Sequence, residues 1–145
     1  MARTMTIDNP AGLTDILRRL ETVAAESTLR QAAVAGARVV HGEILRRAPL
    51  GRKAHKRSGK LYPPGTLRKA ILIAYDQDES LEGVRAVYLV GIARDAFYWQ
   101  FKERGTSHQA KEPFFRPGYD ASKNAAAAAM LAVIDRKVAA AIRGT

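Results

Sequence analysis

The chain has 145 residues, and its 24 Lys or Arg against 14 Asp or Glu give a formal net charge of +10. This length fits one domain that buries its own core, and a hydrophobic content of 47% argues against disorder throughout. The chain has no cysteine, which excludes disulfides, thiolate metal sites and a cysteine nucleophile. It also lacks an 18-residue apolar run and an apolar leader, so we expect neither a membrane span nor a signal peptide.

The first part of the chain predicts helix. Residues 1–8 form a loose lead-in, and Asp8 or Asn9 is placed to cap a helix that has Pro10 in its first turn. Apolar side chains then recur at helical spacing, at Leu13, Ile16, Leu17, Leu20 and Ala24. The polar run Glu26-Ser27-Thr28 interrupts this pattern and is suited to cap a second segment. The sequence therefore leaves open whether one helix or two result.

A second apolar stripe begins after Leu29. Its positions are Ala32, Ala33, Gly36, Val39, Val40, Ile44 and Ala48. The small residues in this stripe allow a neighbouring helix to approach closely. Pro49 ends the helix, because the residue before a proline avoids helical dihedrals.

Residues 50–65, here called the basic segment, interrupt the regular elements. From Arg46 to Lys69 the chain holds nine Lys or Arg and no acid. Glycines and prolines in the segment predict no regular structure, so we expect a flexible loop. Removing residues 52–60 should then leave the fold intact, and His55 should be an exposed polar residue. The cations expected to contact DNA or an acidic neighbouring ring are Arg52, Lys53, Lys56, Arg57 and Lys60.

Two strands are predicted next. The run Thr66–Tyr75 turns apolar, and its Ile-rich centre favours a strand. The acidic stretch Asp76–Gly83 reads as a hairpin turn, since it lacks the ligand spacing of a calcium loop. The second strand is predicted over Val84–Ile92, and both of its faces are apolar near the middle. We expect both faces to be covered, by the chain's own helices or by a neighbouring subunit.

Residues 96–120 form the most distinctive stretch and hold the only Trp. The spacing of Phe97, Tyr98 and Phe101 predicts a helical turn in which the three share a face, while Trp99 points away and is the best candidate for an intersubunit contact. Gly105 follows as the predicted cap residue. Local neutralisation of Glu103 by its neighbours in the sequence, Lys102 and Arg104, is expected. Pro113 and Pro117 then fix the backbone before the last helix.

The last helix is predicted from Tyr119 to about Ala141. Its apolar face is expected to contain Ala127, Leu131, Ile134, Val138 and Ile142. The alanine-rich composition predicts close packing, with the long N-terminal helix as the expected partner.

These elements predict one α+β domain over residues 1–145. It has a long N-terminal helix or helix pair, a small antiparallel sheet with a β-hairpin, a short aromatic helix and a long alanine-rich C-terminal helix. The chain has no Gly-rich phosphate loop, no His-Glu-x-x-His and no Gly-x-Ser-x-Gly, and its three His lack a catalytic spacing pattern. We therefore expect no enzyme, no cofactor and no bound metal.

The order of short motifs in this chain resembles that of the small neck proteins of long-tailed bacteriophages, the head–tail joining, tail-completion or tail-component family. The matching residues are Tyr98, Glu103, Gly105, Thr106, Pro113, Phe114, Arg116 and Pro117. An upstream match is carried by Ala48, Pro49, Gly65, Thr66, Leu67 and Arg68. The resemblance spans roughly residues 30–142, and the gap between its upstream pairs is longer than in the family and rich in cations.

The resemblance implies a structural virion protein that forms a homo-oligomeric ring in the phage neck and contacts other neck and tail proteins. It implies the host cytoplasm as the place of assembly and the virion as the final location. The subunit interface would contain the motif residues together with Trp99 and Phe101. Packaged DNA in the channel is a further expected partner of the basic segment. No membrane is involved in this interpretation.

Two alternatives stay open. One is a tail terminator or another tail component, which shares a ring design of helices and sheet. The other is a small basic protein that binds DNA or RNA, which the net charge favours but no recognisable nucleic-acid-binding motif supports. The position of the aromatic side chains discriminates these functions. A ring protein should bury them between subunits, whereas a nucleic-acid binder should present them beside the cations.

Overall fold

A computed structural model of the protein describes residues 10–23 and 25–144. The predicted loose N-terminus and its capping residues Asp8 and Asn9 lie outside the described residues. The helices are α1 (Pro10–Val23), α2 (Glu26–Arg47), α3 (Thr66–Ala70), α4 (Trp99–Arg104) and α5 (Phe115–Arg143). The strands are β1 (His55–Arg57), β2 (Lys60–Tyr62), β3 (Ile71–Tyr75) and β4 (Tyr88–Ile92). The architecture is α+β, as predicted.

The N-terminal segments form two helices rather than one. Helix α1 ends at Val23 and α2 begins at Glu26. The suggested capping by Glu26-Ser27-Thr28 was wrong, because these residues lie in the first turn of α2 and its N-cap is Ala25, which makes no side-chain hydrogen bond. At its far end the Ala48 N–H donates to the Ile44 carbonyl, after which Pro49 stops the helix. Hydrogen bonds from Arg46 and Arg47 lower the pKa of Glu43 to about 2, so this carboxylate stays ionised at neutral pH.

Helices α2 and α5 pack side by side and run in opposite directions. Gly118, near the start of α5, lies against Ile44 near the end of α2, and Gly36 lies against Met130 further along. Small side chains make this close approach possible. The predicted packing of the alanine-rich helix on the long N-terminal helix is therefore confirmed.

The buried face of α5 differs from the predicted one. The buried positions are Gly118, Ser122, Ala126 and Val133, whereas Ala127, Leu131 and Ile142 are exposed. The helices approach so closely that small residues occupy the contact and the larger aliphatic ones lie beside it. The buried Ser122 hydroxyl donates to the Gly118 carbonyl at 2.7 Å, so its polarity is satisfied within the helix.

Strands β3 and β4 form a two-stranded antiparallel ribbon. Its inner face packs on α2, where His41 Nε2 lies 3.0 Å from the Ile71 carbonyl oxygen. The outer face carries Leu72, Ala74 and Leu89, all exposed. The predicted second strand was too long at its start, because β4 begins at Tyr88. Residues 76–87 instead fold as a turn closed by a separate Leu81–Arg85 bridge.

The prediction that the basic segment lacks regular structure was wrong. Strands β1 and β2 pair as a hairpin, here called the basic hairpin, around Ser58 and Gly59. Both turn residues have positive φ, at 50° and 78°, which matches the two-residue turn that suits a twisted hairpin. Tyr62 at the end of β2 is buried and anchors the hairpin to the domain.

The core lies where α2, α3, the ribbon and α5 meet. Its buried members are Ile44, Ala48, Leu67, Ile71, Ala96 and Phe114. Phe114 and Ile44 are the largest fully buried side chains among the residues that the structure describes. Because Phe114 directly precedes α5, the core fixes where that helix starts.

The helix contact at Gly118 predicts that Gly118→Ala destabilises the protein by about 1–3 kcal/mol. A Cβ at this position would lie 2.9 Å from Ile44 Cγ1 and 3.0 Å from Ile44 Cα, and the second of these atoms belongs to the backbone. The matched control is Gly42→Ala in α2, where a Cβ meets nothing within 4 Å. This control should gain up to about 1 kcal/mol from helix propensity. Urea unfolding midpoints measure both, and equal midpoints would contradict the packing described.

Candidate functional site

Glu103 lies at the end of α4 and caps the start of α5. Its Oε2 accepts hydrogen bonds from the N–H groups of Phe114 and Phe115 at 2.8 and 3.0 Å. Its Oε1 accepts one from the Arg116 N–H at 2.9 Å. The carboxylate also lies at the positive end of the helix dipole. The expectation that Lys102 and Arg104 neutralise Glu103 was wrong, because its partners are these backbone donors.

Pro117 completes this cap. The first turn of a helix leaves about four N–H groups without a partner inside the helix. Here the N–H groups of Phe114, Phe115 and Arg116 bind Glu103, Pro117 has none, and the Gly118 N–H donates to the Phe114 carbonyl at 3.0 Å. One carboxylate therefore satisfies every remaining donor at this helix end.

Hydrogen bonds and a salt bridge hold the two sides of the loop between α4 and α5 close together. Thr106 and Gln109 form a β-bridge, with the Thr106 N–H donating to the Gln109 carbonyl at 2.8 Å. The Glu112 N–H donates to the Lys102 carbonyl at 2.7 Å, and the two side chains form a salt bridge of 3.1 Å. Gly105 has a φ of +76°, and a Cβ there would lie 2.9 Å from the Lys111 nitrogen. Glycine is thus required for the loop to return so closely.

The aromatic side chains of residues 97–101, here called the aromatic turn, point in different directions. Trp99 faces away from Phe97 and Phe101, as predicted, and its ring lies 5.4 Å from that of Phe115. It is half-buried and packs against the core. Phe97 and Phe101 form an edge-to-face pair at 6.3 Å and are more exposed than Trp99. The least covered aromatic surface of this turn therefore belongs to the two phenylalanines.

Three rings connect the aromatic turn to the basic hairpin. His55 stacks on Tyr62 at 5.2 Å, and Tyr98 meets the edges of both rings at 5.3 and 5.5 Å. Burial, with a smaller contribution from Tyr62, raises the pKa of the Tyr98 phenol. His55 is exposed, as predicted, but one face of its ring is packed.

The five cations predicted as a contact surface divide into two groups. Arg57 lies over the rings of Phe97 and Phe101, about 5 Å from each centroid, and Lys60 pairs with Asp95 at 3.3 Å. Arg57 thus fastens the hairpin to the aromatic turn, and Lys60 fastens it to Asp95, just before that turn. The outward-facing group comprises Arg52, Lys53 and Lys56. No carboxylate within the described ranges pairs with any of these three.

Residues of the upstream match, at 48–49 and 65–68, also contact one another. The Arg68 Nε donates to the Ala48 carbonyl at 2.9 Å, so the guanidinium caps the carboxyl end of α2. The Thr66 hydroxyl donates to the Pro63 carbonyl, and Leu67 enters the core. A cavity of about 490 Å³ lies between this motif, the basic hairpin and the aromatic turn, and its lining includes Pro49, Gly65, Tyr98 and Phe101.

The arrangement can hold neighbouring surfaces in a fixed geometry. Over residues 10–23 and 25–144, no three His, Asp or Glu side chains come together as a metal site. Within the same ranges, no helix is long and apolar enough to cross a bilayer. The lining of the cavity combines aromatic rings with cations.

Sequence reasoning did not find the roles of Glu103, Arg68 and Tyr62. The first two act on backbone groups far away along the chain, which no local pattern records. For Tyr62 a signal was present, since Ser58-Gly59 between short alternating runs is suited to a hairpin turn. The high charge of the segment concealed it.

Comparisons of this chain with protein-family models, with curated proteins and with solved structures found no match in any of the three.

Glu103→Ala should lower the free energy of unfolding by about 2–3 kcal/mol, because three N–H groups lose a charged acceptor. Glu103→Gln should cost less, since one side-chain oxygen remains to accept. Glu112→Ala serves as the control, because it removes only the exposed pair with Lys102 and should cost under about 1 kcal/mol. Chemical denaturation followed by circular dichroism measures all three. A cost at Glu103 no larger than at Glu112 would contradict the capping role.

Tyr62→Ala should destabilise the domain by about 2–4 kcal/mol, because a buried ring between His55 and Tyr98 is lost. Leu61→Ala is the matched control in the same strand. Leu61 is 56% exposed on the opposite face of the hairpin, so its loss should change stability by less than about 0.5 kcal/mol. Thermal melting compares the two variants. Equal melting temperatures would contradict this anchoring role of Tyr62 and would favour the expectation that residues 50–65 form a flexible loop.

Proposed function

We propose that this protein is a structural component of the neck of a long-tailed bacteriophage, a ring-forming head–tail joining or tail-completion protein. The proposal starts from the resemblance of its motifs to that family. Its support from the structure is that motif residues separated in the chain contact one another. Glu103 binds the backbone at 114–116, and Arg68 binds Ala48. Residues that match the family motifs are therefore in contact with one another in the folded chain.

The single observation that carries the ring is the uncovered outer face of the ribbon. Leu72 is 41% exposed and Leu89 51% exposed, although both lie within regular strands. Phe97 and Phe101 add exposed aromatic surface on the aromatic turn. An apolar sheet face of this kind is typical of a surface that a partner covers. A ring closes when each subunit covers such a face on its neighbour by a head-to-tail contact.

The function of such a protein is geometric. The contact between α2 and α5, the capped start of α5 and the packed basic hairpin hold the contact surfaces at fixed positions. The outward-facing cations Arg52, Lys53 and Lys56 are then available to an anionic neighbour, either an acidic protein surface or DNA in the channel. The proposed location is the neck or tail of the virion, after assembly in the host cytoplasm.

A second candidate is a small DNA- or RNA-binding protein. The same three outward-facing cations favour it, because they have no carboxylate partner among the described residues. The positions of Arg57 and Lys60 weaken it, since Arg57 lies over two rings of the chain's own aromatic turn and Lys60 pairs with the chain's own Asp95. Tail terminator or another tail component is a further variant of the first proposal and uses the same surfaces.

The test is the composition and morphology of the particles made by the genome that encodes this chain. Mass spectrometry of purified particles should detect the protein, and electron microscopy should place it as a ring at the neck. Disrupting its gene should yield filled heads and separate tails, and supplying the intact chain in trans should restore joined particles. Normal infectious particles without the protein would contradict the proposal.

A further inference from the structure

The ribbon of β3 and β4 has ends of opposite charge. At the end marked by Ile71 and Ile92, the Ala93 N–H donates to the Ala70 carbonyl, and the basic hairpin lies nearby through its Lys60–Asp95 pair. At the other end, residues 76–83 form the acidic turn, with four carboxylates in seven residues. Four residue steps along a strand separate the two ends by about 13 Å.

The acidic turn presents two carboxylates outward. Asp76 accepts from the Glu79 N–H, and Glu79 pairs with Arg85 at 3.3 Å, so these two acids serve the turn itself. Asp78 and Glu82 are exposed, and no cation in the described part of the chain pairs with either. Exposed aliphatic surface lies beside them, because Leu81 is 55% and Val84 74% exposed.

The basic end also combines exposed charged side chains with exposed aliphatic ones, but its charges are positive. Arg52, Lys53 and Lys56 are exposed, and Leu50 and Leu61 beside them are more than half exposed. Lys56 pairs in register with Leu61, so the two share the outer face of the hairpin. Each end of the ribbon therefore combines exposed aliphatic side chains with unpaired charge of one sign, and the open face with Leu72 and Leu89 lies between them.

We infer that a second copy of this chain covers the open ribbon face, with the basic hairpin of one copy contacting the acidic turn of the next. The inference rests on the proposed function, because it specifies the contact through which the ring would close. The two surfaces are different and lie at opposite ends of one ribbon, which is the requirement for head-to-tail association.

A protein partner fits these surfaces better than a nucleic acid. The phosphate backbone of DNA has no apolar surface to cover the leucines of the ribbon, and a duplex would meet the acidic turn unfavourably. A second copy offers carboxylates to the cations and aliphatic surface to the leucines at the same time. Because the charged contacts lie at the rim, association should weaken as salt is raised.

The experiment uses two charge-reversal variants of the full chain. Lys53→Glu with Lys56→Glu makes both ends acidic, and Asp78→Lys with Glu82→Lys makes both ends basic. We expect the unaltered chain to associate into multiples of its 15.8 kDa mass in sedimentation velocity. Each variant alone should associate at least about tenfold more weakly, because like charges then meet at the contact. An equimolar mixture of the two should associate again, since unlike ends are restored.

The control is Arg18→Glu with Arg143→Glu, which reverses two exposed cations outside the ribbon, one on α1 and one at the end of α5. It should associate like the unaltered chain, and circular dichroism should confirm that all variants are folded. Recovery in the mixture distinguishes a specific contact from a general effect of net charge or misfolding, because neither would be corrected by mixing.

Three results would overturn the inference. They are a monomeric unaltered chain at all concentrations, association that neither variant weakens, and a mixture that fails to recover. A further contrary result is a loss of affinity for a 30-base-pair duplex in the Lys53 and Lys56 variant while its association is unchanged. None of these depends on whether the protein is present in particles. A protein found at the neck but insensitive to charge reversal would contradict this contact alone, and the proposed function would stand.

Discussion

The three hydrogen bonds from backbone N–H groups to Glu103 are the constraint on which the rest of the structure depends. They join the end of α4 to the start of α5, two elements separated by a loop of ten residues, 105–114. Because Phe114 at this joint is buried in the core, the position of α5 along α2 is fixed at the same point. The aromatic turn, which precedes Glu103, is thereby held in a defined orientation relative to both helices.

The elements that the sequence predicted correctly are those with a local signal. The helical spacing of α2 and the Ile-rich run of β3 depend on neighbouring residues and are present as expected. The buried face of α5 was wrong because the contact with α2 depends on how closely two helices approach. Periodicity finds the large apolar residues, whereas this contact selects Gly118 and Ala126.

The sequence predicted which residues belong to the candidate site, but it did not predict how these residues contact one another. The motif placed Glu103, Gly105 and Pro117 in one stretch, yet their joint role depends on donors that become available only when α5 begins at Phe115. The basic segment shows the opposite case. Its charge predicted flexibility, while the contact of one buried side chain, Tyr62, with Tyr98 ties it to the domain. Long-range contacts of this kind leave no periodic trace in a sequence.

The chain contains a single Trp, and it lies at the joint between α4 and α5. The ring of Trp99 packs against Phe115, the first residue of the helix whose N–H groups Glu103 binds. Its intrinsic fluorescence is therefore a reporter on this joint without any label, because separation of the helices would expose the indole to water. Emission wavelength and far-ultraviolet ellipticity, recorded on one sample, would show whether the joint opens before the helices themselves melt.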